Sequence, residues 1–434
     1  MSWTSQTSAS DNSWLSVTYG QNANIPNGLF VAVSYTGNGN RVMTSPDGIT
    51  WTSRTSAADN FWTGVTYGQG ANIPNGLFVA VSNDGFQNRV MTSVDGIIWT
   101  SQTSDYDSDW NSITYANGLF VAVGFASVMT SPDGITWTSR TSAAIIFWTS
   151  VTYGQGANIP NGLFVAVASS NASSDLNRVM TSPDGITWTL RTSASNNSWN
   201  SVIYGQGLFV AVARSGTGNR VMTSSDGITW TSRTSASDNN WSSVTYGQGA
   251  NIPNGLFVAV ANSGTENRVM TSPDGITWMS EQSASDNYWT SVTYGQGTNI
   301  PNGLFVTVSS NGRGNRVMTS SRAKATVQVN NKMDIKSLTL IEILEGEFIL
   351  EDYREGGFTI TTSKPKPPII FERITLFYTA KDFKELGISA SKLKEKGFTA
   401  TTLAQTFGFS KDELIEAGFS KDEIEELFKN NQKI

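Results

Sequence analysis

Six aspartates of this chain share one local setting. Asp47, Asp95, Asp133, Asp184, Asp226 and Asp274 each precede a glycine in a Ser-x-Asp-Gly-Ile turn that runs on to a tryptophan. A recurring carboxylate can hold a metal, work as an acid or base, or accept backbone N–H groups and fix a tight turn. Asp followed by Gly between two strand-like segments favours the turn, with the tryptophan packed beneath it. Six arginines also recur in register, Arg41, Arg89, Arg178, Arg220, Arg268 and Arg316, each directly after an asparagine. Groups that recur with a repeat are spread over it and do not converge on one substrate. Only two glutamates, Glu266 and Glu281, precede Arg322, so hydrolysis by paired carboxylates is not expected. The chain has no cysteine and no histidine, which removes thiolate nucleophiles, disulfides, Cys/His zinc sites and the commonest general base. No catalytic residue, metal site or cofactor is expected.

These residues sit in a chain of 434 residues, enough for two or three domains and a large core. The net charge of −6 argues against nucleic acid held by phosphate contacts. No run of about 18 apolar residues occurs, so no membrane insertion is expected. Met1-Ser2-Trp3-Thr4-Ser5 does not read as a secretory leader. Every lysine follows Arg322, and that shift in composition marks a domain boundary near Arg322–Lys324.

What must position the turns is a repeat. A unit reading W-T-S-x-T-S … W-x-S-V-T-Y-G … G-L-F-V-A-V … R-V-M-T-S-P-D-G-I-T recurs seven times. Its first Trp falls at Trp3, Trp51, Trp99, Trp137, Trp188, Trp230 and Trp278, and its second eleven residues later, at Trp14, Trp62, Trp110, Trp148, Trp199, Trp241 and Trp289. Four short strand-like segments per unit, parted by Gly, Asn, Pro and Asp, predict one antiparallel four-stranded sheet. Repeated radially, this is an all-β seven-bladed β-propeller over residues 1–322. A solenoid would need capping repeats, and none is visible. The chain opens with the outermost strand of the unit, and the last unit stops at Arg322 without one. Trp3–Thr7 is therefore predicted to pair with the third strand of the last blade and close the ring.

Ser45-Pro46-Asp47-Gly48-Ile49-Thr50-Trp51 resembles the Asp-box of bacterial neuraminidase-type repeats, shortened by one residue between Asp and Gly. The whole unit, residues 1–322, resembles propeller repeats of bacterial, phage and giant-virus proteins. The resemblance implies the fold and carries little about function. A sialidase site would need an arginine cluster, a Tyr/Glu nucleophile pair and an acid, which the periodic arginines do not offer. The loops joining strands two to three and four to one share one face, and the two-to-three loop varies most among units. Variable loops on a rigid scaffold are where recognition sits. One four-to-one loop stands out. Where this loop normally reads Ser-Asp-Asn-x before the second Trp, as in Ser10-Asp11-Asn12-Ser13, this one reads Ala144-Ile145-Ile146-Phe147, and the short loop beside it carries Phe125. Phe125, Ile145, Ile146 and Phe147 either form an exposed apolar docking patch or fold over each other.

Residues 323–338 read as a connector and 339–434 as a tail of short helices with a ten-residue period. Ser410–Phe419 is its clearest copy, with capping-box spacing at Ser410/Glu413 and a glycine stop at Gly418. The rhythm recurs over Ser389–Phe398, Thr379–Ile388 and Leu350–Phe358, and Lys364–Pro368 interrupts it as an extended linker. Helix is favoured over 339–357, with strand as the alternative from Thr339–Ile341 and Phe358–Thr361. Such decapeptides resemble short repeats in giant-virus proteins. The reading is a non-enzymatic structural or interaction protein with a protein partner. Its resemblance places it in a virus particle or host cytoplasm. The alternative is a lectin binding glycan through Asp11–Asn12, Asp238–Asn239 and Asp286–Asn287.

Overall fold

The computed structural model describes residues 1–169, 176–250 and 252–320, and beyond them 349–351, 359–361, 389–395, 399–405 and 409–430. Among the described residues, seven antiparallel sheets of four strands follow one another around a ring. The first blade runs from an inner strand, Trp14–Asn22, through Ile25–Ser34 and Val42–Ser45 to an outer strand, Thr52–Arg54. Inner strands touch the inner strands of both neighbours, and Trp289–Gly297 of the last blade touches Trp14–Asn22 of the first.

The unbroken apolar run of each second strand follows from burial on both faces. In the first blade, Phe30 and Ala32 pack with Leu304, Val306 and Val308 of the seventh. Leu29, Val31 and Val33 face the other way, onto Trp62, Val65 and Phe78 of the second. One apolar layer of this kind lies between each pair of blades, and each buried Phe or Val contributes about 1.5–3 kcal/mol of transfer free energy. The second tryptophan of every unit is fully buried in these layers.

The seventh blade takes its outer strand from the other end of the propeller. Trp3–Gln6 pairs antiparallel with Val317–Ser320, with Trp3 opposite Ser320 and Gln6 opposite Val317. That pairing occupies a strand edge that would otherwise stand open.

Each Ser-x-Asp-Gly turn is internally bonded. Asp47 Oδ1 accepts from the Ile49 and Thr50 N–H groups at 2.9 and 2.8 Å and from Ser45 Oγ at 2.9 Å. Trp51 Nε1 donates to Gly48 O at 2.9 Å, so the ring lies under the turn. Gly48 has φ +76°, and a Cβ there would stand 2.7 Å from Leu304 of the neighbouring blade. Partial burial pushes the Asp47 carboxyl upward. The Thr50 and Ile49 N–H groups, then the Ser45 and Thr50 side chains, outweigh that and hold its pKa below the ordinary value. The same direction holds at Asp95, Asp133, Asp184, Asp226 and Asp274.

The chain divides into two compact units, Met1–Ala323 and Lys324–Ile434. In the second, short helices cover Ala390–Glu395, Ala400–Gln405, Lys411–Glu416 and Lys421–Asn430. The Lys411–Glu416 helix carries a capping box, Ser410 Oγ accepting from the Glu413 N–H while the Glu413 carboxylate accepts from the Ser410 N–H. The helix expected over 339–357 is corrected where the structure describes that stretch. Ile349–Glu351 pairs antiparallel with Thr359–Thr361. The β-branched composition of Thr359-Ile360-Thr361 outweighs the ten-residue rhythm there. The connector, the Lys364–Pro368 linker and the copy at Thr379–Ile388 lie outside the described residues. Among the described residues no helix is long and apolar enough to cross a membrane.

Candidate functional site

The face carrying the two-to-three and four-to-one loops is braced by a repeated latch. Asp59, in the four-to-one loop entering the second blade, accepts from the Gly39 N–H of the first at 2.7 Å and lies 3.5 Å from Arg41 Nε. Asp107 with Arg89, Asp238 with Arg220, Asp286 with Arg268 and Asp11 with Arg316 repeat it at four more junctions. The asparagine that follows four of the five latch aspartates turns inward; Asn12 donates to Asn40 O at 2.8 Å and is buried, as are Asn60, Asn239 and Asn287. The Asp11–Asn12, Asp238–Asn239 and Asp286–Asn287 pairs considered for a sugar are therefore committed to bracing loops.

At the junction of the third and fourth blades the latch is replaced. Ile145 stands in the aspartate position, Ile146 in the asparagine position and Phe147 in the outward position. Their fates follow from those positions. Ile146 is 9% exposed and packs with Val121, Val123 and Val128 of the third blade and Trp148 of the fourth. It is thus a buried anchor and is removed from the expected patch. Ile145, with no loop to clamp, is 80% exposed. Phe147 and Phe125 are 46% and 40% exposed, pair as an isolated antiparallel bridge, and bring their ring centroids to 4.5 Å. Trp14 Nε1 donates to Ser10 O at 3.1 Å, whereas Trp148 Nε1, like Trp110 Nε1 at the preceding junction, is buried without a partner among the described residues.

Beside this patch the central channel opens into a cavity of about 470 Å³. Its wall is a ring of inner-strand residues from all seven blades. Ser16, Ser112, Ser150, Ser201, Ser243 and Ser291 each accept, through Oγ, a backbone N–H of the following blade at 3.1–3.2 Å. The seventh position is Gly64, so the Ile113 N–H meets no hydroxyl there. Phe147 and Asn262 also line the mouth. Among the described residues Arg214 is the one ionisable side chain in the lining. Its Nε donates to Asn200 Oδ1 at 3.2 Å. Its Nη2 donates to the same oxygen, and no carboxylate pairs with it among the described residues. Desolvation by the surrounding blades lowers its pKa, although the side chain stays exposed at the mouth.

The candidate residues therefore separate. Phe125, Ile145 and Phe147 come together at one edge of the channel mouth, and Ile146 supports them from below. The turn aspartates lie in the three-to-four turns on the opposite face. Among the described residues no group of three acidic side chains could hold a metal. Arg214 was not singled out from the sequence, although one signal could have found it. The residue leaving each second strand reads Tyr35, Asn83, Phe125, Ser169, Arg214, Asn262 and Ser310 around the ring. It is one of the least repeated positions in the unit, and only one blade places a charge there.

No family model and no curated protein matches the chain. Solved propeller structures do. BBS1N in complex with ARL6DN superposes with a TM-score of 0.50 at 7% identity, over 74% of this chain and 94% of that one. An extracellular domain from B. thetaiotaomicron superposes with a TM-score of 0.50 at 12% identity, over 82% of this chain and 44% of that one. YCF48 bound to D1 peptide gives 0.49 at 15% identity, over 73% and 94%. At such identities the likeness is one of fold.

Proposed function

We propose that the chain is a non-enzymatic interaction protein whose propeller docks a protein partner on the face of the two-to-three and four-to-one loops. The observation that carries this is the junction of the third and fourth blades. Five junctions spend an Asp–Arg pair on bracing, whereas this one presents Phe125, Ile145 and Phe147 to solvent. Exposed isoleucines on the opposite face, such as Ile49, Ile135 and Ile228, recur with the turns, so they belong to the repeat and single out no blade. An apolar patch that breaks the repeat is the stronger mark of a partner. A non-catalytic role is supported by the use of charge, since the turn and latch carboxylates are already bonded. In the same reading the decapeptide-repeat tail appended to this shortened Asp-box propeller anchors or oligomerises the protein. The likeness to giant-virus, phage and bacterial repeats supports a place in a particle or similar assembly.

Site-directed photo-crosslinking tests the docking face. With benzoylphenylalanine at Ile145, a discrete adduct should form in material from the native source and vanish when Phe147→Asp is added. The same probe at Ile228 should give none. Equal adducts at both positions would sink the proposal.

A further inference from the structure

The docking face has a polar centre whose chemistry narrows the class of partner, provided that the docking role proposed for that face holds. Among the described residues the cavity at the channel mouth holds one ionisable group, the Arg214 guanidinium, and no carboxylate. Elsewhere on this face Arg41, Arg89, Arg220, Arg268 and Arg316 each lie within 3.4–3.6 Å of an aspartate. Among the described residues the Arg214 side chain has only the neutral Asn200 Oδ1, which its Nε and Nη2 share, leaving Nη1 as a spare donor in the lining. The hydroxyls around it add to the same sign of field. Each ring serine accepts a backbone N–H, so its own proton is free to be donated. Five of the other polar side chains in the lining already donate to backbone carbonyls. Thr63, Thr149 and Thr290 donate to the carbonyls of Trp110, Trp199 and Trp14. Asn111 and Asn200 donate to those of Trp148 and Ser242. What remains is an unneutralised cation, exposed at the mouth, beside spare O–H donors of the same recess. That is a receptor for an anion, and Phe147 lines the same recess while forming the apolar patch with Phe125.

We infer that the channel mouth receives a carboxylate carried by a peptide segment of the partner, Arg214 being its counter-charge and the ring serines its hydrogen-bond donors. A neighbouring apolar side chain of that segment rests on Phe125 and Phe147. The recognised element is an acidic residue beside a large apolar one.

The test uses the full chain and an array of pentapeptides with a central Asp or Glu flanked by Phe, Leu or Val. The same peptides with Asn or Gln at the centre serve as controls, and affinities are read by fluorescence anisotropy. Acidic peptides should bind about tenfold or more tightly than their amides. Arg214→Gln should abolish that difference, and Arg214→Lys should keep part of it. Arg214 bonds only the Asn200 side chain, so both variants should melt like the parent. The inference falls if acids and amides bind alike, if Arg214→Gln leaves the preference intact, or if no peptide binds. Inorganic phosphate bound as tightly as the peptides, with the same Arg214 dependence, also overturns it. The docking role and the carboxylate separate cleanly. Loss of the Ile145 crosslink in Phe147→Asp with full retention in Arg214→Gln keeps the docking face and removes the carboxylate.

Discussion

The turn aspartates show how much one side chain can fix. A single oxygen of Asp47 gathers two backbone N–H groups and a serine hydroxyl, and the turn it closes seats Trp51 against its own carbonyl. Asparagine keeps the acceptor oxygen and alanine does not. Asp47→Ala should lower stability by about 1 kcal/mol, and Asp47→Asn by less, by chemical denaturation at neutral pH. The charge adds a pH signature. The folded carboxyl titrates below its unfolded value, so its stabilisation is whole above about pH 4 and is lost as the pH falls through the folded pKa. The drop in melting temperature between pH 7 and pH 3 should therefore be smaller in Asp47→Asn than in the parent. An equal drop would show that the turn aspartate is not part of the acid response.

The blades were legible in the sequence because each one is buried between two near-copies of itself. Leu29-Phe30-Val31-Ala32-Val33 has to be apolar on both faces, and the neighbour it packs against imposes the same run on the next blade. The site was only half legible for the same reason. Ile145 and Phe147 stand out as breaks in a repeated loop, but that Ile146 takes the buried asparagine slot is a fact of packing. Arg214 lies in a loop of ordinary composition, and its isolation exists only once seven strands meet at a channel. Gly64 is a third case, an exception whose meaning needs the ring. Six serines tie each inner strand to the next, and Gly64 leaves one tie unmade. A Cβ on Gly64 would meet Ser112 Cα and Val81 Cγ2 at 3.3 Å, a fit that the serines at the other six positions suggest the fold can absorb. Gly64→Ser should raise stability by about 0.5–1.5 kcal/mol through the added bond to Ile113 and the stiffer unfolded chain. A lowered denaturation midpoint would mean that the contact with Ser112 wins.

At the scale of the whole ring, six blades have covalently connected outer strands and one does not. The seventh relies on the four-residue pairing of Trp3–Gln6 with Val317–Ser320. It also lacks a bond the others have. Trp51, Trp99, Trp137, Trp188, Trp230 and Trp278 donate to the glycine carbonyl of the turn before them, whereas Trp3 Nε1 is buried without an acceptor among the described residues. The seam is thus the point where the ring should open first, and amide exchange along Val317–Ser320 should be faster than along Val42–Ser45. Removing residues 1–7 would expose the Val317–Ser320 edge together with the apolar layer under Trp3. Such a variant should melt lower and self-associate through the open edge, visible by size-exclusion chromatography. A variant ending at Ala323 removes only the second compact unit and should melt as the full chain does. If instead the tail truncation destabilised the propeller and the strand deletion did not, closure of the ring would have to come from elsewhere than Trp3–Gln6.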